Sequence, residues 1–182
     1  MERIRITRDN CFLVGIDYQE RLVPAMSGKE GLLDASARLI RGFEILGLPV
    51  LMTQQYPKGL GQTIPAIKEA GEADYIDKVT FSAWKTDEFV QKVESLGRKA
   101  AVVVGIETHV CEQQTVLDMI DAGYTVYVAA DCVASRKEAD RDIAIRCMEA
   151  AGAVITTYEA ILFELLVTAK APEFKAISNL VK

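Results

Sequence analysis

The chain has 182 residues, half of them hydrophobic, and a formal net charge of −5. That is enough for one domain with a full apolar core, and it leaves no basic face for a phosphate backbone, so nucleic acid is not an expected partner. No apolar run approaches the roughly 20 residues that span a membrane, and four irregularly spaced cysteines without a CxxC or Cys/His pattern point to free thiols rather than disulfides or a metal site.

In chain order, residues 11–17 form an apolar run that ends in Asp17, the pattern of a strand buried on both faces with a carboxylate at its end. Residues 31–46 keep a helical period through Leu32, Leu39, Ile40 and Phe43, and Gly47 closes that helix. A second strand is expected over 49–55, a Pro- and Gly-containing loop over 56–61, a short helix over 64–70 and a brief third strand over 75–78 that ends in Lys78. Thr86 reads as the N-cap of a helix over 87–96. The run Val102-Val103-Val104 then predicts a fourth buried strand, with Gly105 freeing the chain to turn and a helical pattern following Cys111. A fifth strand over 124–131, a helix over 137–151, a sixth strand over 153–156 and an apolar helix over 158–170 complete the chain. The alternation predicts a parallel sheet covered on both faces, in a single domain over residues 1–182.

Cys111 separates itself from Cys11, Cys132 and Cys147, which suit the usual role of cysteine as a small buried hydrophobe. It alone stands where a strand hands over to a helix, where free N–H groups and the positive end of the helix dipole favour a thiolate. Asp17, Lys78 and Cys111 all fall at the carboxyl edge of the sheet, and a doubly wound order makes strands one and four neighbours there. Lys78 favours a nearby anion, whereas Glu112 and an ionised Asp17 oppose it.

Three segments, Gly15-Ile16-Asp17-Tyr18-Gln19, Asp77-Lys78-Val79-Thr80-Phe81-Ser82-Ala83-Trp84 and Gly105-Ile106-Glu107-Thr108-His109-Val110-Cys111, resemble the signature segments of the isochorismatase-like cysteine hydrolases. With Tyr56-Pro57-Lys58-Gly59-Leu60-Gly61, the chain is most similar to the small isochorismatase domain-containing proteins, over about residues 11–163. The resemblance implies a three-layer α/β/α, Rossmann-like fold whose six-stranded parallel sheet has the order 3-2-1-4-5-6. It implies a triad in which Cys111 is the nucleophile, Asp17 its base and Lys78 the group that holds Asp17 in place. It also implies a cis peptide at Ile106-Glu107 and an oxyanion hole made by the backbone N–H groups of Glu107 and Cys111.

The single histidine, His109, and the glutamines at 54 and 55 depart from the metal-binding nicotinamidases of that superfamily, so no metal and no cofactor are expected. A retained cysteine leans toward hydrolysis of a small amide, acyl or related substrate through a thioester. The expected pocket wall comprises Gln19, Gln54, Tyr56, Phe81, Trp84 and His109. The C-terminal helix, apolar around much of its circumference, is expected to bury a second surface in a homo-oligomer. A charged opening with no leader-like segment makes a cytoplasmic location the expectation. The alternative is an oligomeric binding or scaffold protein that retains the triad with little turnover.

Overall fold

The computed structural model describes residues 5–182. Its strands β1 (Cys11–Ile16), β2 (Val50–Gln55), β3 (Asp74–Lys78), β4 (Ala100–Ile106), β5 (Thr125–Ala134) and β6 (Val154–Thr156) form one six-stranded sheet in the order β3-β2-β1-β4-β5-β6. Every pairing is parallel. Helices α1 (Lys29–Ile45), α4 (Asp87–Ser95), α5 (Gln113–Asp121), α6 (Glu138–Ala150), α7 (Tyr158–Leu166) and α8 (Phe174–Leu180) cover it, with α2 (Pro57–Leu60) and α3 (Pro65–Lys68) as single turns.

Every residue of β1 and β4 is buried, yet the twofold side-chain period of a strand still sorts them by face. Leu13, Val102 and Val104 pack with Leu39 and Phe43 of α1, Leu162 and Leu165 of α7 and Ile177 of α8. Phe12, Val14, Ala101 and Val103 pack with Phe89 of α4, Val116 and Met119 of α5 and Met148 of α6. A continuous apolar run is what a strand needs when both faces are covered.

Gly105 does not begin a turn, as its position after three valines suggests, but lies inside β4 opposite Ile16. Its φ of 128° suits glycine alone, and a β-carbon there would run into the Ile16 carbonyl and amide. The chain leaves the sheet two residues later, after a cis Ile106–Glu107 peptide. It then makes one turn of π-helix, Thr108–Glu112, before α5 begins. Beside this, the β4–β5 register jumps from Val103↔Val128 to Gly105↔Val133, so β5 carries a bulge and extends to Ala134 rather than stopping at Asp131.

The C-terminal region also differs from expectation. The apolar face of α7 serves its own chain: Ile161, Leu162, Leu165 and Leu166 are buried, and Leu162 fills the space left by Gly42 of α1. Only Phe163 and Val167 among its large apolar residues remain exposed. Much of the apolar surface that suggested a partner on that helix is met within the chain, and Phe163 and Val167 are what it leaves open. The helix ends at Val167, whose positive φ of 65° lies in a tight turn closed by the Thr168 N–H donating to the Leu166 carbonyl at 2.7 Å. The unforeseen α8 follows and is tied to α1 by Arg38, which donates from Nη1 to the Leu180 carbonyl at 2.7 Å. Among the described residues, no helix is long and apolar enough to cross a membrane.

Candidate active site

Asp17 is the first residue past β1, with φ at 56°, a left-handed conformation that aspartate tolerates better than most residues. It is wholly buried. Its carboxylate accepts from Thr53 Oγ1 on Oδ1 and from Lys78 Nζ on Oδ2, each at 2.7 Å. Strand β2 lies between the two charged residues and supplies the bridge across itself. Thr53 pairs with Ile16 and Gln55 pairs with Lys78, and residues two apart on a strand share a face. Lys78 Nζ donates also to Gln55 Oε1 at 2.7 Å and to the carbonyls of Phe81 and Thr80 at 3.1 and 3.3 Å. A buried ion pair offsets its desolvation only when its remaining donors and acceptors are met, and these partners meet that condition.

The Cys111 thiol lies within the electrostatic reach of this pair, with Asp17 and Lys78 both acting on its proton affinity. Its helical turn packs on the Val14 face of the sheet, within the α4–α5–α6 cluster. The thiol is pushed up to about 12, first by burial and then by the negative charge of Asp17, against the opposing pull of Lys78. Sequence position alone favours a thiolate here; burial and the neighbouring carboxylate reverse that, so the resting group is a neutral thiol. Cys11 is raised as far, by burial opposed by Arg98. What distinguishes Cys111 is its two charged neighbours.

The expected pocket residues divide. Gln19 is fully buried, and its side chain ties the loop after β1 to Gln55 N–H, Gln55 carbonyl and Gly61 carbonyl at 2.7–2.9 Å. Gln54 points to the opposite face from Thr53 and Gln55: its Nε2 donates to Asp77 at 3.0 Å and its Oε1 accepts from the Thr63 N–H and hydroxyl at 2.8 and 3.0 Å. Gln19 Nε2 thus spends both of its N–H groups on the loop, and Gln54 is turned away from the face that carries Thr53 and Gln55. Trp84 packs edge-on against Phe89 and Tyr124, with ring centroids at 6.2 and 5.2 Å, and serves the core. Tyr56 and Phe81 are exposed; Tyr56 walls a cavity of about 460 Å³ beside Lys78, together with Pro57, Lys58, Val79 and Lys85. His109 turns toward the end of β5, with Nδ1 at 2.9 Å from Ser135 Oγ and Nε2 at 3.9 Å from Asp140. The Glu107 side chain accepts from Arg136 N and Nε at 3.1 and 2.9 Å. Sequence reasoning missed Thr53 and Gln55. Two polar residues at i and i+2 near the end of a buried strand were the available signal.

Glu112 follows the candidate nucleophile but does not act on it. Its carboxyl is wholly buried with no hydrogen-bond partner among the described residues, and Tyr18 and Cys132 are the groups beside it that it would influence if ionised. Burial drives its pKa well above the carboxylate range against the pull of Arg141, which favours the neutral acid. The unfolded chain releases this proton near pH 4.3 while the folded chain keeps it, so stability falls as pH rises from there through the folded pKa. Glu112→Met is therefore expected to raise stability at pH 8 by about 1–3 kcal/mol and to flatten the decline between pH 5 and 8. Urea unfolding at the two pH values measures both; a decline of unchanged slope would assign it to other groups.

A six-stranded all-parallel sheet in the order β3-β2-β1-β4-β5-β6 with helices on both faces defines a Rossmann-like α/β/α class. Within that class the chain belongs to the isochorismatase family, whose domain model matches residues 11–160. Isochorismatase domain-containing protein 1 of Danio rerio is 38% identical over 166 residues, 91% of this chain and 59% of its own length; the chain thus spans about three fifths of that relative. The structure of MAR1 ribonuclease from Caenorhabditis elegans is 36% identical, with a TM-score of 0.92 over 98% of this chain and 92% of its own. The YcaC gene product of Escherichia coli, described as an octameric hydrolase of unknown specificity, has the same fold at 23% identity, with a TM-score of 0.92 over 99% and 90% of the two chains. Family membership supports a hydrolase role. Among the described residues no three His, Cys, Asp or Glu side chains are grouped to hold a metal ion.

Proposed function

We propose that the chain is a cysteine hydrolase that cleaves a small amide or acyl substrate through a thioester on Cys111. The observation that carries the reading is the enclosed Asp17–Lys78 ion pair at 2.7 Å with the buried Cys111 thiol under the influence of both charges. Because the resting thiol holds its proton, attack requires a base in contact with it, and Asp17 fills that position. As sulfur bonds to the substrate carbonyl carbon, the thiol proton passes to Asp17, and the backbone N–H groups of Glu107 and Cys111 receive the oxyanion. Collapse breaks the carbon–nitrogen bond, and Asp17 returns the proton to the departing amine. Water then attacks the thioester, its proton passes to Asp17 and on to the leaving sulfur, and the thiol and a carboxylic acid are restored. Lys78 keeps Asp17 oriented and offsets negative charge as it develops.

RNA is the competing substrate that the name of the nematode relative suggests. The net charge of −5 works against holding a phosphate backbone, and a thiol is suited to acyl carbon rather than to a phosphodiester. Homo-oligomer assembly belongs to the reading as well, with support from the octameric YcaC at the level of fold.

Turnover in a panel of small amides and esters is expected to vanish in Cys111→Ala while the unfolding transition persists. An RNA oligonucleotide should survive both proteins. Amide hydrolysis undiminished in the variant, or RNA cleavage that persists without the thiol, would overturn the reading.

A further inference from the structure

We infer that Thr115 is a positioning residue that holds the Cys111 thiol in register with the Lys78 ammonium; the inference rests on the reading of Cys111 as nucleophile. Two of the oxygens that receive Lys78 Nζ, the Thr80 and Phe81 carbonyls, belong to the segment 79–86 that joins β3 to α4. That segment is docked on α5, the helix that continues from the cysteine turn. The Ala83 N–H donates to Thr115 Oγ1 at 2.9 Å, and Thr115 Oγ1 donates to the Cys111 carbonyl at 2.7 Å. One hydroxyl thus joins the main chain of the nucleophile to the loop that caps the ammonium.

A threonine hydroxyl bonding back to the carbonyl four residues earlier is an ordinary helical habit. What is particular here is the second bond, taken from a loop amide at a site that is wholly buried. A second anchor lies one turn further along α5. Ser82 Oγ donates to Asp118 Oδ2 at 2.7 Å, and Lys85 Nζ lies 3.3 Å from Asp118 Oδ1. That anchor is nearer the surface, with the Asp118 side chain 24% exposed, so the buried link is the stiffer of the two. Charge interactions weaken with separation, and Lys78 is the group that favours the Cys111 thiolate. Loosening the loop from α5 lets the ammonium drift from the sulfur, and the thiol then holds its proton more tightly.

The rate at which iodoacetamide alkylates Cys111 between pH 7 and 10 reads this directly, since the thiolate displaces iodide and no natural substrate is needed. Valine keeps the shape of threonine and removes the hydroxyl. Thr115→Val is expected to react about tenfold more slowly at every pH in that range, the effect of one pKa unit, whereas Thr115→Ser stays within about twofold of the parent. If Thr115 serves only to hold α5, the valine variant will unfold at lower urea while its rate–pH profile overlies that of the parent. That outcome, or a faster reaction, overturns the inference. Should the valine variant fail to fold, Asp118→Ala cuts the same loop at its outer anchor and is expected to slow alkylation about threefold; an unchanged profile there is equally fatal. Failure of the nucleophile reading shows elsewhere, as turnover retained by Cys111→Ala.

Discussion

Lys78→Met is expected to cost about 3–5 kcal/mol of folding stability, measured by urea unfolding at neutral pH. The side chains of Lys78 and Asp17 are both wholly enclosed, so removing the cation leaves a carboxylate with Thr53 Oγ1 as its remaining side-chain donor among the described bonds. Gln55 Oε1 and the Thr80 and Phe81 carbonyls lose their common donor at the same stroke. Adding Asp17→Asn to the variant should recover much of the loss, because the lone buried charge is then gone, and the double-mutant cycle isolates the pair. A cost below about 1 kcal/mol, the value of a surface ion pair, would show that water reaches the carboxylate.

Asp17→Asn in the parent is expected to move two properties in opposite directions. Hydrolysis should fall by about 10²–10⁴, the usual contribution of a positioned acid–base group. Alkylation of Cys111 at neutral pH should become faster. The sign follows from the charges around the sulfur: the carboxylate raises the thiol pKa and the ammonium lowers it, so deleting the carboxylate leaves the lowering influence less opposed. Each unit by which the pKa drops makes alkylation about ten times faster. A variant slow in both reactions would mean that Asp17 supports the geometry of the site rather than taking a proton.

Much of the fold was written in local pattern. Val102 to Val104 and the apolar residues of 11–16 mark buried strands, and the β/α alternation requires parallel pairing, which brings the residues that follow β1 and β4 to one edge. That Asp17 and Cys111 meet was therefore legible from strand ends alone. The reach of Lys78 was not, because it depends on Gln55 and on loop carbonyls that no periodicity announces. Choosing between Gln54 and Gln55 needed only strand parity: Thr53 and Gln55 face the site, and Gln54 faces away. The balance of influences on the Cys111 proton was only half legible, because the helix terminus and the nearby charges are visible in sequence while the depth of burial is not. The apolar excess of α7 pointed to a partner outside the chain. A short, weakly periodic α8 and the hollow at Gly42 absorb much of it inside, leaving Phe163 and Val167 exposed.

The contact between Gly105 and Ile16 has a bearing on how this fold can change. Asp17 follows one of these residues directly, and the cysteine turn follows the other by a few positions, so backbone touching backbone sets the gap between the Asp17 carboxylate and that turn. Surrounding helices can therefore swap their apolar side chains, altering durability and pocket shape, while Asp17 and the Cys111 turn keep their spacing. The glycine at 105 is therefore a position where even a methyl group would alter the site without touching it.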